Sequence, residues 1–206
     1  TLVVTVDCGM TAFKELDYAK DINLDIIVVD HHAPEAKLPS AIAVINPNRI
    51  DDNTDLGMLA AVGVSFMLVG ALKSKLVEIE FIDENNIPNL SFLLDLVALG
   101  TICDVVPLVG ANRALVKQGL RVMSKRQNNG INALFEVSEI DDMPSVFHAG
   151  FLLGPRINAG GRVGESSLGA KLLTTDNISE AKEISFHLNG LNEERKQLEA
   201  VVLDQA

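Results

Sequence analysis

The sequence contains 206 residues, of which 48% are hydrophobic and 22% are charged. This composition is typical of a folded globular protein and excludes a disordered segment or a mini-protein that needs disulfides to fold. The 28 acidic and 17 basic residues give a net charge of -11, which on average repels nucleic acids and anionic membranes. Any reaction on phosphate groups would therefore depend on metal ions or on a local basic patch.

Acidic and basic residues are unevenly distributed along the chain. Residues 1–110 contain 16 of the acidic residues but only 6 of the basic ones. No acid occurs between 105 and 135, where basic side chains recur at every fourth position: Arg113, Lys117, Arg121 and Lys125, with Arg126 beside the last. This spacing predicts a basic stripe on one helix face. The stripe is either a solvated helix surface of the ordinary kind or a local basic patch with a binding role.

Cysteine content and hydropathy bear on the cellular compartment. Cys8 and Cys103 are too few for a disulfide framework and form no close metal-binding pair, so we expect two small buried residues in a protein of the reducing cytoplasm. No basic and apolar leader opens the chain. An uncharged run over 56–72 contains three glycines and predicts a helix packed on a sheet, not a membrane span.

The first part of the chain predicts an α/β fold. Two apolar, β-branched runs at 2–6 and 25–29 flank a helical stretch at 11–20, which is the pattern of a βαβ unit with parallel strands covered on both faces. A short strand at 41–45 follows and is expected at a sheet edge. Because parallel strands end at the same edge of a sheet, the residues that follow the first two strands are expected to lie close together.

The rest of the chain predicts mainly helices. Apolar segments at 56–72 and 89–99 and the basic segment after 105 are expected to be helical. Glycines at 154, 160 and 161 predict a loop in the stretch 154–162. From 177 onward apolar residues recur with helical spacing, which predicts one helix too long for a small domain. We expect its outer part, from 198 to 206, to connect to a further domain.

Acidic and histidine side chains follow the predicted strands and the apolar helix. They are Asp7, Asp30, His31, His32 and Asp104. Carboxylate oxygens with an imidazole nitrogen suit Mn²⁺ or Mg²⁺, and paired ions of this type hydrolyse phosphate esters. The alternative is that the acids cap helices and turns and that the histidines are merely exposed.

The motifs taken together resemble a known superfamily. Asp30-His31-His32 after a buried strand, preceded by Asp7-Cys8-Gly9, is similar to the signature of the DHH phosphoesterases. Within that superfamily, further segments resemble the RecJ-type single-stranded-DNA exonucleases in order along nearly the whole chain: 45–48, 61–64, 96–108, 154–162 and 188–199. The resemblance implies a parallel-sheet DHH phosphoesterase domain with flanking helices, which ends in a long interdomain connector helix.

The resemblance also implies roles for individual residues. Asp7 would bridge two metal ions, His31 would be a direct ligand, and Asp104 would be a ligand on the opposite side. His32 would meet the scissile phosphate, and Asp30 would hold a neighbouring imidazole in the required tautomer.

A second group of residues is implied to bind the nucleic acid. Arg156 and Arg162 would grip a phosphate of the DNA, and Asn158 would hydrogen-bond to the same backbone. The alternative is that the glycines of this stretch only form a turn and the arginines cap a helix.

The implied function is a 5′-to-3′ exonuclease that uses two Mn²⁺ or Mg²⁺ ions to release 5′ mononucleotides from single-stranded DNA in repair and recombination. Residues 1–175 would form the catalytic domain and 176–206 the connector toward an absent DHHA1 domain. The acidic motif that such enzymes carry upstream of Asp7 does not occur in this sequence, so we expect the piece alone to be inactive. Single-stranded DNA, single-strand-binding protein and a helicase are the implied partners of a cytoplasmic monomer that binds no membrane.

Two alternatives remain open from the sequence. One is a DHH phosphoesterase that acts on short oligonucleotides, cyclic dinucleotides or pyrophosphate. The other is a replication scaffold that kept the fold and lost catalysis. The intact Asp7, His31, His32 and Asp104 disfavour the scaffold.

Overall fold

The computed structural model describes residues 1–83 and 86–204, and the side chains of these residues up to 202. The chain divides into two compact units. The first comprises Thr1–Leu93 and Asp104–Val116, and the second comprises Leu94–Cys103 and Lys117–Ala206.

The first unit is built on a parallel sheet. Strands β1 (Leu2–Val6), β2 (Asp25–Val29) and β3 (Ala43–Ile45) lie side by side in chain order. Helix α1 (Phe13–Asp21) connects β1 to β2, so the predicted βαβ unit and the α/β class are confirmed. β3 is an edge strand of the described sheet, as predicted.

The predicted burial of β1 on both faces is wrong. Leu2 is 56% exposed and Val6 51% exposed, whereas Val28 of β2 is fully buried. Among the described strands β1 pairs with β2 alone and is an edge strand of the sheet, and its apolar side chains are not enclosed on both faces. Cys8, which follows this strand, is exposed, and Cys103 is half-buried, so the prediction that both cysteines are buried is also wrong.

Hydrophobic side chains pack on the sheet of this unit in clusters. Met10 and Leu16 pack with Val28 on one side. Val29 packs with Leu59 and Val64, the latter in helix α2 (Ala61–Glu78). The uncharged run at 56–72 is therefore part of a loop and of a helix against the sheet, and none of the described helices is long and apolar enough to cross a membrane.

The remaining elements are helical. A short 3₁₀ helix (Leu90–Leu93) leads into α3 (Leu94–Cys103), and the chain continues through α4 (Gly110–Met123), α5 (Asn129–Val137), α6 (Gly154–Val163), α7 (Leu168–Thr174) and α8 (Ile178–Asp204). A π-helical segment, His148–Leu153, precedes α6. In the second unit α8 packs against α5, α6 and α7.

The glycine-rich stretch 154–162 is a helix and not the predicted loop. Its glycines allow close packing: a Cβ at Gly154 would lie 2.5 Å from Sγ of Cys103, and one at Gly160 would lie 3.0 Å from Leu188. A glycine in a helix costs about 1 kcal/mol relative to alanine; a Cβ at 154 would force Cys103 to shift, and one at 160 would be tightly packed against Leu188.

The basic stripe and the long helix are both present. Arg113, Lys117 and Arg121 are exposed on α4. The other two residues of the predicted stripe follow the end of this helix: Lys125 is exposed, and Arg126 lies 3.4 Å from the ring centre of Phe135. Helix α8 buries Ala181, Ile184, Leu188 and Leu191, whereas Leu198, Val201 and Val202 are exposed. The division at 175 into a catalytic domain and a connector stays a prediction, and residues 205 and 206 of the predicted connector lie outside the described residues.

Candidate metal centre

The first acid of the candidate site lies where β1 ends. Asp7 continues the strand pairing, since its backbone N–H donates to the carbonyl of Val29 at 2.9 Å. Its φ of 63° and the φ of 116° at Gly9 then turn the chain sharply. A left-handed backbone is rare for residues other than glycine, and Asp is among those that tolerate it. The turn thus places the Asp7 carboxylate at the carboxyl edge of the sheet.

Asp30 is the buried centre of the turn that follows β2. Its side chain is 2% exposed. Its Oδ2 accepts the backbone N–H of Met10 at 3.0 Å, and its Oδ1 accepts the backbone N–H groups of His31 and His32 at 2.8 and 3.2 Å. The same Oδ1 lies 2.7 Å from Nδ1 of His32. Burial acts to raise the pKa of Asp30, but these hydrogen bonds outweigh burial and lower it. Asp30 is therefore an ionised anchor for both histidines.

His31 has its two ring nitrogens in different surroundings. Nδ1 lies 3.1 Å from the carbonyl oxygen of Leu59, and because a carbonyl only accepts, Nδ1 carries the proton in the neutral ring. Nε2 is then left with a free lone pair, which is the form that binds metals. It lies 3.2 Å from Oδ1 of Asp7 and 3.5 Å from Oδ2 of Asp104, and within the described part of the chain this buried atom makes no hydrogen bond. Two carboxylates and one imidazole nitrogen thus converge.

Asp104 reaches this position from the end of α3. The next residue, Val105, has a φ of 60°, so the chain reverses directly after the acid. Burial raises the pKa of the Asp104 carboxyl, which His31 opposes and Asp7 reinforces. Two carboxylates beside one nitrogen repel each other, and a divalent cation would relieve that repulsion. The donor set fits Mn²⁺ or Mg²⁺.

His32 lies on the open side of the cluster. Its side chain is 60% exposed, and its ring centre is 4.6 Å from that of His31. Ligand-type atoms of Asp7, His31 and His32 all lie within 4.8 Å of one another. The hydrogen bond to Asp30 is the main cause of the raised pKa of His32. The ring is thus suited to carry a positive charge beside a bound anion.

Two asparagines hold the main chain of the histidine pair. Nδ2 of Asn46 donates to the carbonyl of His32 at 2.9 Å, and Nδ2 of Asn48 donates to that of His31 at 2.6 Å. The N–H of Asn48 donates to Oδ1 of Asn46 at 2.8 Å, which fixes the pair relative to each other. Sequence reasoning had assigned no role to these residues, although an Asn-Pro-Asn run after a strand is a recognisable signal for side-chain hydrogen bonds to backbone.

The predicted DNA-binding residues lie on α6 in the second unit, so they are not members of the cluster in the first unit. Arg156 is half-buried and donates from Nε to Oδ1 of Asn189 at 2.9 Å and from Nη1 to the carbonyl of Leu152 at 2.7 Å. Burial lowers its pKa. Asn158 and Arg162 are exposed. Arg162 therefore has a freer guanidinium than Arg156.

Comparison with known proteins gives consistent matches. Residues 1–101 match the DHH family, N-terminal domain. The chain is 46% identical over 202 residues to the single-stranded-DNA-specific exonuclease RecJ of Escherichia coli (strain K12), covering 96% of this chain and 35% of that protein. A crystal structure of exonuclease RecJ bound to manganese matches with a TM-score of 0.86 at 35% identity, over 99% of this chain and 49% of that chain. RecJ in complex with Mn²⁺ from Thermus thermophilus gives a TM-score of 0.85 at 35% identity, over 99% of this chain and 29% of that chain. This chain thus spans less than half the length of each of these relatives.

Proposed function

Because residues 1–101 match the N-terminal domain of the DHH family, we propose that this chain is the central part of a metal-dependent exonuclease that degrades single-stranded DNA. The enzyme would proceed from the 5′ end and release 5′ mononucleotides. Identity of 46% to a single-stranded-DNA-specific exonuclease over 96% of the chain supports this proposal.

The observation that carries the proposal is the convergence of Nε2 of His31 with a carboxylate oxygen of Asp7 at 3.2 Å and one of Asp104 at 3.5 Å. Asp7, His31 and Asp104 would hold the cation, which is Mn²⁺ or Mg²⁺ by the chemistry of these donors. Divalent ions supply an activated water and neutralise the charge of the phosphodiester when bound. Relatives of similar fold were crystallised with manganese.

The neighbouring residues would orient the substrate phosphate. Asp30 accepts from Nδ1 of His32 and leaves Nε2 as the nitrogen that can donate to a phosphate oxygen. The raised pKa of His32 favours the protonated ring near neutral pH. An imidazolium would bind a non-bridging oxygen of the scissile phosphate and offset its charge in the transition state.

Residues of α6 would bind the DNA backbone. Arg162 and Asn158 are exposed and free to meet phosphate oxygens, and a guanidinium forms paired hydrogen bonds with phosphate. Arg156 would contribute the nitrogen that is not engaged by Asn189 and Leu152. Beyond the DNA, the proposed partners are single-strand-binding protein and a helicase. We also propose that the protein is a monomer of the cytoplasm and acts in repair and recombination.

The test is an exonuclease assay on the longer protein that carries this chain. A long 5′-labelled single strand and a dinucleotide are supplied with Mn²⁺, and we expect the long strand to be degraded to mononucleotides from its 5′ end. Asp104→Ala should abolish the reaction, while exchange of an exposed acid of the second unit, Asp141→Ala, should not. Preference for the dinucleotide, or full activity of Asp104→Ala, would overturn the proposal.

A further inference from the structure

One buried side chain is hydrogen-bonded to two loops that position ligands of the candidate metal centre. Asn112 lies in the first turn of α4 and is fully buried. Its Nδ2 donates to the carbonyl of Met58 at 2.6 Å and to the carbonyl of Pro107 at 3.0 Å. All three residues belong to the first unit. A single amide group thus ties together two loops that are far apart in sequence.

The first loop orients the histidine ligand. Met58 directly precedes Leu59, whose carbonyl lies 3.1 Å from Nδ1 of His31. That contact fixes the ring and leaves Nε2 facing Asp7 and Asp104. Displacement of the 58–59 backbone would therefore rotate the imidazole or remove the partner of its N–H.

The second loop carries the acidic ligand. Pro107 lies three residues after Asp104, and between them Val105 has a φ of 60° while 86% exposed. A β-branched residue in this region costs of order 1–3 kcal/mol and persists only where surrounding contacts enforce it. The exposed Val105 side chain packs on little that could enforce the conformation. The hydrogen bond from Asn112 to the carbonyl of Pro107 is a contact that can enforce it.

The buried amide of Asn112 carries a cost in folding stability. Among the described residues its buried Oδ1 has no hydrogen-bond partner, and an unsatisfied buried polar atom destabilises a fold by about 1–3 kcal/mol. We propose that Asn112 is a positioning residue that holds His31 and Asp104 in the geometry required to bind the divalent cation, an inference that rests on the proposed function.

The experiment compares Asn112→Ala with the parent in the longer protein that carries this chain. Asn192→Ala serves as the matched control, because Asn192 is 1% exposed and lies in the second unit. Mn²⁺ affinity is measured by titration calorimetry, and hydrogen exchange of the metal-free protein is followed by mass spectrometry. Loss of a group that orients a ligand weakens metal binding about 10- to 100-fold, and we expect a rise of that size in the Kd for Mn²⁺.

Hydrogen exchange separates positioning from general destabilisation. In Asn112→Ala it should accelerate at 56–60 and 104–109, including the Leu59 amide that donates to Leu56, and stay unchanged elsewhere. Steady-state kinetics should show a lower kcat at saturating Mn²⁺ with an unchanged KM for DNA. Asn192→Ala should retain the parental Kd.

The outcomes separate this inference from the proposed function. A parental Kd in Asn112→Ala, with binding lost in His31→Ala, would overturn the positioning role and leave the metal centre in place. A parental Kd in His31→Ala would overturn the metal centre itself. Should Asn112→Ala not fold, Asn112→Ser, which keeps one donor, decides the matter: a raised Kd in the folded variant supports positioning, and a parental Kd contradicts it.

Discussion

Oδ1 of Asp30 lies 2.7 Å from Nδ1 of His32 and also accepts the backbone N–H groups of both histidines. One buried oxygen therefore sets the main-chain turn, the tautomer of His32 and its charge. The carboxylate is ionised because hydrogen bonds to it outweigh its burial. Its effect on the reaction would thus be exerted through the histidines and not by direct contact with a cation.

Replacement of Asp30 should damage catalysis more than the fold. Asp30→Asn keeps the volume but removes the charge that raises the pKa of His32. We expect kcat to fall about 10- to 100-fold, the usual effect of losing a residue that orients a ligand or an acid. The measurement is kcat on single-stranded DNA at saturating Mn²⁺. Asp95→Asn, a second buried acid outside the cluster, is the control, and equal losses in both variants would contradict the assigned role.

The two arginines of α6 should respond differently to truncation. Arg156→Ala removes hydrogen bonds to Asn189 and Leu152 and should lower the free energy of unfolding by about 1.5–3 kcal/mol. Arg162 is exposed, so Arg162→Ala should change stability by less than about 0.5 kcal/mol while it raises the KM for DNA. Urea denaturation and steady-state kinetics on both variants measure these effects. An unchanged KM in Arg162→Ala would remove this residue from the DNA site.

The buried carboxyl of Asp95 should make the free energy of unfolding depend on pH. Asp95 is 3% exposed, and its Oδ1 accepts the N–H of Leu96 at 2.7 Å. Burial raises its pKa despite this bond. Between the unfolded pKa of about 3.9 and the higher folded pKa, Asp95 binds more protons in the folded state than in the unfolded state. The contribution of Asp95 to stability therefore falls as the pH rises from the unfolded pKa to the folded pKa.

Asp95→Asn removes this ionisation and with it the penalty. The unfolding free energy of the variant minus that of the parent should therefore increase from pH 4 to pH 7, as measured by urea denaturation at several pH values. The difference between the two proteins cancels the titration of all other groups. A difference that is constant with pH would show that Asp95 ionises equally easily in the folded and unfolded chain.

The core of the second unit gives a prediction on stability alone. Leu134 in α5 is fully buried, and Leu134→Ala should cost about 2–5 kcal/mol, because a large-to-small change loses buried apolar surface and leaves a cavity. Leu198 in α8 is 53% exposed, so Leu198→Ala should cost far less. Denaturant unfolding of the two variants checks this ranking. A reversed order would contradict the packing of α5.

The sequence predicted the parts of the site that depend on local pattern. Two β-branched runs separated by a helix placed Asp7 and the histidine pair at one sheet edge, because parallel strands share their end. Strand burial could not be predicted in the same way: the run Leu2–Val6 looks apolar whether or not a neighbour covers it. The helix over Gly154–Val163 was missed because glycine signals a turn. In this helix the glycines instead leave room for neighbouring side chains: Cys103 lies against Gly154, and Leu188 lies against Gly160.

Contacts between residues that are distant in sequence could not be predicted either. The partner of His31 is a backbone carbonyl 28 positions away, at Leu59, and every residue type carries a carbonyl. Asn112 contacts Met58 across 54 positions, so its spacing gives no signal. Such residues are found only when the chain is folded and the hydrogen bonds of each ligand are traced outward.

The most direct test of the account is Mn²⁺ binding by titration calorimetry, with degradation of single-stranded DNA followed in the same samples of the longer protein. The parent is compared with His31→Ala and with His187→Ala, which alters an exposed histidine of α8 outside the cluster. The account predicts that His31→Ala loses both binding and degradation, while His187→Ala retains both. Binding and degradation at parental levels in His31→Ala would contradict a metal centre built on His31, Asp7 and Asp104.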